Sequence, residues 1–549
     1  MPNNTCGGTH PEFPVFIEIA PNIPGHRASA HTSAEILSHR YLFPFLRGDT
    51  VKHRVNGSEA YSYFLSFKYQ NKGFHMANVE MTGIEIVQDA ERTAKPRNLF
   101  LPWFASNISV FGMSYGAWIL GFGISFRQAA VVAIVSVILS FAICGVIALG
   151  GKRGSVPTMV MSRSAFGVNG AKIPGIISWF VSIGWETSLA ITAVLATNTI
   201  LSRLGWAGEN STTVKIIAAA LVAALIVLGA VAGYHIIMKM QAWLTWITGI
   251  ITIIYVFLVV PHINWTTLTS LPNGSLPAMI GALVMVMTGM GLGWVNIAAD
   301  WARYQRRDAR GSQIVFWNTF GGSLGPVVLI TFGLMLAGSD QKLAEGIGID
   351  PVGSLATILP TWFLIPFLIT AILSLLSGAI NGIYSSGLTL LTLGIKIPRP
   401  LASLIDGAIL TAGTIYVTFF SPTFIGPFQS FLVTLGVPLA AWTGIMMADI
   451  TLRRKDYDET ALFDPRGRYG SYNPAALVIL VICCILGWGL VVNGYSDASF
   501  NNWQGYLLRF IGGKEGPWGG GNIGVILALA VGYIAYFAVC GNRVRRQEK

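Results

Sequence analysis

Glu186 is the residue in this sequence with the most direct chemical use. It lies in ISWFVSIGWETSLAITAVLAT, an apolar run, between Trp185 and Thr187 and just after Gly184. A carboxylate at bilayer depth costs about 3 kcal/mol or more unless it is paired or faces water, so its position points to a function. The residue type allows three: carrying a proton, accepting a hydrogen bond from a substrate N–H, or holding a neighbouring helix. Trp185 taken alone is a packing residue. A second tryptophan, Trp294, ends the run GMGLGW, and two indoles facing one space would stack on a flat heterocycle for about 1 kcal/mol each.

The stretch around Trp294 is itself unusual. In AMIGALVMVMTGMGLGWVNIAADWARYQRR, Gly289, Gly291 and Gly293 alternate in the middle of an apolar segment, with Asn296 shortly after. Each glycine weakens a helix by about 1 kcal/mol relative to alanine. Backbone released at that depth is tolerated only where it is buried in protein or lines a cavity. Broken helices of this kind build midplane binding sites in secondary transporters, and close helix packing through small residues is the structural alternative. A second polar, glycine-containing interruption lies in LPWFASNISVFGMSYGAWILGFG, with Ser106, Asn107, Ser109, Gly112, Ser114 and Gly116. A third polar stripe runs through LSLLSGAINGIYSSGLTLL as Ser374, Ser377, Asn381, Tyr384, Ser385 and Ser386. Its hydroxyls suit an alkali cation and the Asn381 amide suits a base edge, while interhelical hydrogen bonding needs no ligand at all.

These residues require a membrane scaffold. The 549-residue chain is 53% hydrophobic and 11% charged, a polytopic membrane composition. About 20 apolar residues cross the hydrocarbon core, and twelve such segments are expected: 99–123, 128–149, 174–201, 213–233, 241–261, 278–300, 314–337, 359–391, 402–420, 424–449, 474–493 and 520–541. With the chain after Met76 starting inside, the inside segments hold twenty-three Lys and Arg against six outside. That asymmetry places both termini in the cytoplasm. It also accounts for the formal charge of +11, so no nucleic-acid partner is implied. Spans one and six then run in opposite directions, as an inverted five-helix repeat requires.

The expected domain plan follows. Residues 1–75 form a polar leader, either a disordered tail or, as we favour, an over-extended start ahead of Met76. Residues 76–98 form a cytoplasmic segment and 99–449 a ten-helix transport core. A cytoplasmic loop spans 450–473, two additional helices span 474–541, and 542–549 is a cytoplasmic tail. Cys144, Cys483, Cys484 and Cys540 fall in apolar segments, Cys6 in the leader, and no paired metal spacing appears. Asp300 and Asp449 stand near Arg303 and Arg453 at span ends and read as ion pairs or caps. No nucleophile–base pair, metal cluster or phosphate loop points to an enzyme, and GMGLG follows no strand. A channel would show a repeated pore motif rather than two different interrupted helices.

Together these stretches resemble the nucleobase–cation symport-1 family, the cytosine, purine, allantoin and hydantoin permeases. The resemblance runs from about Gly83 to the end of span twelve and is nearest to the purine–cytosine permease branch. GIEIVQDAERTAKPRNLFLPWFASNISV, SRSAFGVNGAKIPGIISW leading to GWET, GWVNIAADWARY, INGIYSSGLTLL, and GIMMADITLRR ahead of RYGSYNPAAL carry it. It implies an all-α, LeuT-like inverted-repeat fold with helices one and six broken. It implies a cation symporter that imports a nucleobase such as cytosine or a purine by alternating access across the cytoplasmic (inner) membrane. Hydantoin- or allantoin-like ureides, or a vitamin pyrimidine, are the alternative substrates. Trp185 and Gly293–Trp294 would clasp the ring. The amide that family members carry one turn after the third-span tryptophan is Leu189 here, which leaves Glu186, Asn296 and Asn381 to bond the substrate. Asn107 and Ser377 are the expected cation ligands. Sodium-coupled members pair two hydroxyls in span eight, but Leu376 stands beside Ser377, so the coupling ion is Na+ or H+. No cofactor is expected, and the protein is expected to work as a monomer in the bilayer.

Overall fold

A computed structural model describes residues 80, 83–421, 424–493 and 502–549; the leader 1–75 lies outside the described residues. Among the described residues the fold is helical, and extended backbone pairs only at the isolated parallel bridge Ala94–Gln305. Ten helices are long and apolar enough to cross a membrane, with mean hydropathy windows from 1.4 to 2.9.

The first membrane segment is two short helices, α1a (Phe100–Asn107) and α1b (Phe111–Leu120), each too short to span alone. Then come α2 (Phe126–Gly154), α3 (Lys172–Arg203), α4 (Thr212–Ala232) and α5 (Tyr234–Val259). Helix α6 starts at Leu276 and runs in pieces to Ala302. It is followed by α7 (Gly311–Ser339), α8 (Leu364–Thr392), α9 (Arg399–Phe420) and α10 (Ile425–Leu452). The shorter α11 (Pro474–Trp488) and α12 (Gly524–Gln547) close the chain. Every segment expected to span the membrane thus has a helical counterpart, ten of them of spanning length.

Local chemistry sets several of these ends. Ser125 accepts from the Gln128 N–H, and Gln128 reaches back to the Ser125 N–H, a capping box that starts α2. Ser275 caps α6 through the Ala278 N–H at 3.3 Å, with Pro277 in the first turn. Gly233, at φ 93°, makes the sharp turn from α4 to α5 that an L side chain rarely adopts.

The helices sort by burial. The most central stretches, in α8 and α10, are 72% buried, whereas α5 is 28% and α4 and α9 are 33% buried. Peripheral helices present Leu221, Leu225 and Leu228, or Trp243, Ile250 and Phe257, outward, where lipid rather than water makes such exposure favourable. Central helices carry the polar residues.

Asp449 ties the end of α10 to the rest. Its carboxylate accepts from Arg453 Nε and Nη2, both at 2.8 Å, from Ser164 Oγ at 2.8 Å, and from the Tyr457 and Tyr536 hydroxyls at 3.0 and 2.9 Å. Both charged side chains are buried. Removing one member of a buried pair leaves the other unpaired, at a cost of about 3–5 kcal/mol. Asp449→Ala is therefore expected to lower the thermal midpoint of the detergent-solubilised protein by several degrees. An unchanged midpoint would show that this network does not hold α10, α12 and the loop together.

Candidate functional site

The site begins where two helices stop being helical. At Met290 the backbone leaves α6 with φ −112° and ψ −119°. It resumes as the turn Gly291–Trp294, tightens over Val295–Ile297 and continues as Ala298–Ala302. The three glycines meet three different neighbours. A Cβ on Gly289 would collide with the Tyr115 hydroxyl, and one on Gly291 with the Ser140 backbone. One on Gly293 would press on the Trp185 indole, 3.1 Å from Nε1. Freed backbone groups find partners here as well: the Tyr115 hydroxyl donates to the Gly289 carbonyl at 3.3 Å, and the Gly291 N–H donates to Ser140 Oγ at 3.1 Å. Gly289 and Gly291 thus serve packing against α1b and α2, while Gly293 makes room beneath Trp185.

Trp185, Glu186, Gly293, Trp294 and Asn296 line one cavity between α3, α6 and α8, closed on the α8 side by Gly378 and Gly382. The two indoles are held edge-on by other rings. Trp294 meets Trp103 at 6.0 Å and 85°, and Trp185 meets Phe428 at 5.2 Å and 80°. Glu186 is 1% exposed and lies against Gly382, whose added Cβ would stand 2.6 Å from Glu186 Cγ. Among the described residues neither Glu186 oxygen makes a hydrogen bond of normal geometry, and the Ser386 hydroxyl is a near polar neighbour. Asn296 donates its amide to Ser178 Oγ and Ser182 Oγ, each at 3.0 Å, and leaves Oδ1 unpartnered. The space left in this conformation is ≈ 10 Å³, about enough for one water, so anything larger requires the lining side chains to move.

The remaining candidates sit in a separate network where α1, α5 and α8 meet. Ser377 Oγ donates to Gln241 Oε1 at 2.5 Å. Gln241 Nε2 donates to Asn381 Oδ1 at 2.8 Å and to the Ser377 carbonyl at 3.2 Å. Asn381 Nδ2 donates to Ser106 Oγ at 2.7 Å, and Ser106 and Ser377 hydroxyls stand 3.5 Å apart. Asn381 therefore has its amide engaged here and is absent from the cavity lining. Asn107 turns back on its own helix, donating to the Trp103 carbonyl at 2.8 Å, so Ser106 is the α1 side chain that meets Ser377. Gln241, fully buried, is a residue that sequence reasoning missed, as is the buried Asp406 of α9, which accepts from Trp179 Nε1 at 2.9 Å. An amide or carboxylate within an apolar helix was the available signal.

The two acids at span ends lie outside the cavity. Asp300 accepts from the Thr158 N–H at 2.6 Å and Thr158 Oγ1 at 2.8 Å, capping the turn Thr158–Met161. Arg303 turns instead to Glu80, 3.8 Å away, and donates to the Tyr304 and Tyr384 hydroxyls at 2.9 and 3.0 Å. With Tyr234 stacked on Tyr304 at 3.8 Å, this cluster joins α5, α6 and α8 beyond Ile297.

Two interrupted helices that meet beside a buried, aromatic-walled cavity define a membrane transporter, and comparison with known proteins gives the same class. The model of the family described as "Permease for cytosine/purines, uracil, thiamine, allantoin" matches residues 86–508. The chain belongs to this permease family and is a transporter rather than an enzyme. A Bacillus subtilis (strain 168) protein named "Putative purine-cytosine permease YxlA" is 25% identical over 485 residues, covering 85% of this chain and 97% of that protein. Mhp1, described as a nucleobase-cation-symport-1 family transporter and solved closed with bromovinylhydantoin bound, shares the fold at a TM-score of 0.61 and 16% identity. That match covers 86% of this chain and 99% of Mhp1. A Na+-coupled sialic acid symporter shares the fold more distantly, at a TM-score of 0.53 and 13% identity, over 82% of this chain and 91% of that one. The chain is a multi-pass membrane protein with the inverted-repeat fold expected from its two interrupted helices.

Gly293→Leu is expected to push Trp185 out of place and weaken binding of a transported ring at least tenfold, with membrane insertion intact. Binding of labelled ligand to the purified protein measures it, and wild-type affinity would remove Gly293 from the site.

Proposed function

We propose that the protein imports a nucleobase, such as cytosine or a purine, across the cytoplasmic membrane as a cation symporter working by alternating access. The observation that carries this reading is one cavity lined by two indoles, Trp185 and Trp294, and by buried polar atoms left unpartnered. Those atoms are Asn296 Oδ1 and the Glu186 oxygens, one of which stays an acceptor while the other becomes an O–H donor when Glu186 carries a proton. A buried acceptor left unpaired costs about 1–3 kcal/mol, so the ligand that fits best is flat and brings N–H donors along one edge. The amino and ring N–H groups of cytosine and of purines have that pattern. Ureides have it too, and the hydantoin bound in the fold relative Mhp1 keeps them as the second reading.

Transport requires the cavity to open to one side at a time. Phe428, packed on Trp185, would serve as one barrier, and the Arg303–Glu80–Tyr304–Tyr384 cluster beyond Ile297 as the other. Rocking of α1 and α6 against their neighbours would break one wall while keeping the second. The cation drives this only by binding one state better than the other. Of the two ions, H+ on Glu186 is favoured over Na+. Ser377 and Asn381 are already bonded to Gln241 and Ser106, and the Gln241 amide is itself engaged at both ends, its oxygen by Ser377 and its N–H by Asn381. The asymmetric placement of basic residues supports cytoplasmic termini, and the cavity is complete within one chain, which supports a working monomer. In this plan 76–98 and 450–473 are cytoplasmic, 99–449 is the transport core, and α11 and α12 are additional.

Uptake of labelled cytosine with unlabelled adenine, hypoxanthine, uracil, allantoin and hydantoin as competitors, with and without sodium, tests the substrate and the ion together. Competition by nucleobases is expected, and competition by ureides alone would transfer the reading to them. Trp294→Ala is expected to lower uptake by tenfold or more in cells with normal amounts of the protein in the membrane. Retained affinity would refute the stacking assignment. Glu186→Gln is expected to abolish the pH dependence of uptake, and an unchanged pH profile measured across neutrality would return Glu186 to a structural role.

A further inference from the structure

Several basic residues on this face are tied to neighbouring groups of the protein, whereas those beside α1 and α7 converge on open space. Arg92 donates to the carbonyls of Gln305 and Lys152, Arg307 pairs with Asp89 and Glu459, and Arg453 pairs with Asp449. Lys95, Arg97 and Arg310 have no ion pair among the described residues, and Arg306 has only Asp308, at 2.9 Å. These four cations and the single carboxylate Asp308 line an open cavity of ≈ 540 Å³, together with Gln313 and Trp317. The N-terminus of the 29-residue helix α7 starts at this cavity, with Arg310 as its N-cap and no side chain capping its first turn. An uncapped helix start and a ring of cations both attract the same kind of ligand, a phosphate anion.

What continues from the cavity distinguishes a lipid from a soluble anion. Phe316, Phe320, Leu324 and Val328 follow one another at four-residue spacing along α7, at 56%, 39%, 37% and 41% exposure. This is one outward apolar stripe leading from the cavity into the hydrocarbon zone. At its head, Phe100 stacks on Phe104 at 4.9 Å and packs on Phe320 at 5.6 Å, with Trp317 at 6.5 Å. A positive pocket above an aromatic collar and an apolar stripe is the shape of a phospholipid with a net negative headgroup. Orientation during insertion needs only that lysine and arginine lie on one side; it does not require them to converge, largely unpaired, on a cavity.

We propose that the cleft formed by Lys95, Arg97, Arg306 and Arg310 binds the headgroup of an anionic phospholipid, whose acyl chains lie along the Phe316–Val328 stripe of α7. Because α7 packs against α1a, α1b and α2, the lipid would bridge the first interrupted helix and the scaffold. The site stands independently of which substrate is carried.

The test uses the full-length protein, delipidated in detergent and then offered phosphatidylglycerol or phosphatidylcholine, with bound lipid counted by native mass spectrometry. Wild type is expected to retain one phosphatidylglycerol in preference to phosphatidylcholine. Arg97→Gln with Arg310→Gln is expected to weaken that preference by roughly tenfold or more, and Arg97→Lys with Arg310→Lys to restore most of it. Arg545→Gln with Arg546→Gln, exposed cations of the C-terminal tail, should leave it unchanged. Equal retention by the Arg97/Arg310 glutamine pair, an equal loss in the tail variant, or displacement of the lipid by inorganic phosphate alone would each overturn the proposal.

Discussion

The architecture depends on satisfying the backbone where α6 breaks. A peptide group in hydrocarbon without a hydrogen bond costs several kcal/mol, so an interruption there persists only if neighbouring helices bring partners to it. Tyr115 and Ser140 do so, from α1b and α2, and each can reach the break because a glycine opposite it has no side chain in the way. The same glycines that weaken the helix let its neighbours repair the damage. With those contacts made, Trp294 is carried out of the helical register and its ring turns toward α1a and Trp103.

The polar residues of the membrane interior divide into two groups that the fold keeps apart. One group is closed on itself. Ser106, Gln241, Ser377 and Asn381 exchange hydrogen bonds across α1, α5 and α8, and a network satisfied in this way rigidifies the junction of three helices. The other group is open: Glu186 and Asn296 face the cavity with acceptors unpaired. Buried acceptors left without a donor are costly, and on the proposed function a ligand bearing N–H groups would relieve that cost.

Charge is handled by the same logic at the membrane edge. Asp449 and Arg453 are buried together with three hydroxyls around the carboxylate, Asp300 caps a turn, and Arg303 shares Glu80 with two tyrosines. Each of these groups joins segments distant in sequence, so the polar ends of the helices act as fasteners between them. The Lys95–Arg310 cleft departs from the pattern, with more cations than the protein itself neutralises.

Residue types and spacing alone made the membrane class, the number and approximate limits of the apolar segments, the two interruptions and the Trp185, Glu186 and Trp294 candidates legible. Those features are periodic or compositional, and a window of some twenty residues contains them. Partner choice could not be read that way. Asn107 and Asn381 are polar residues at interrupted or central helices like Asn296, yet one folds back on Trp103, one is consumed by Gln241 and Ser106, and only Asn296 reaches the cavity. Gln241 entered no sequence argument because its importance lies in what faces it from α8, 136 residues and more away in the chain. The sequence by itself determined which residues had to be kept from lipid; tertiary packing decided which of them satisfy one another and which line the cavity unpaired, because a hydrogen bond is fixed by distance and direction that residue spacing does not encode across helices.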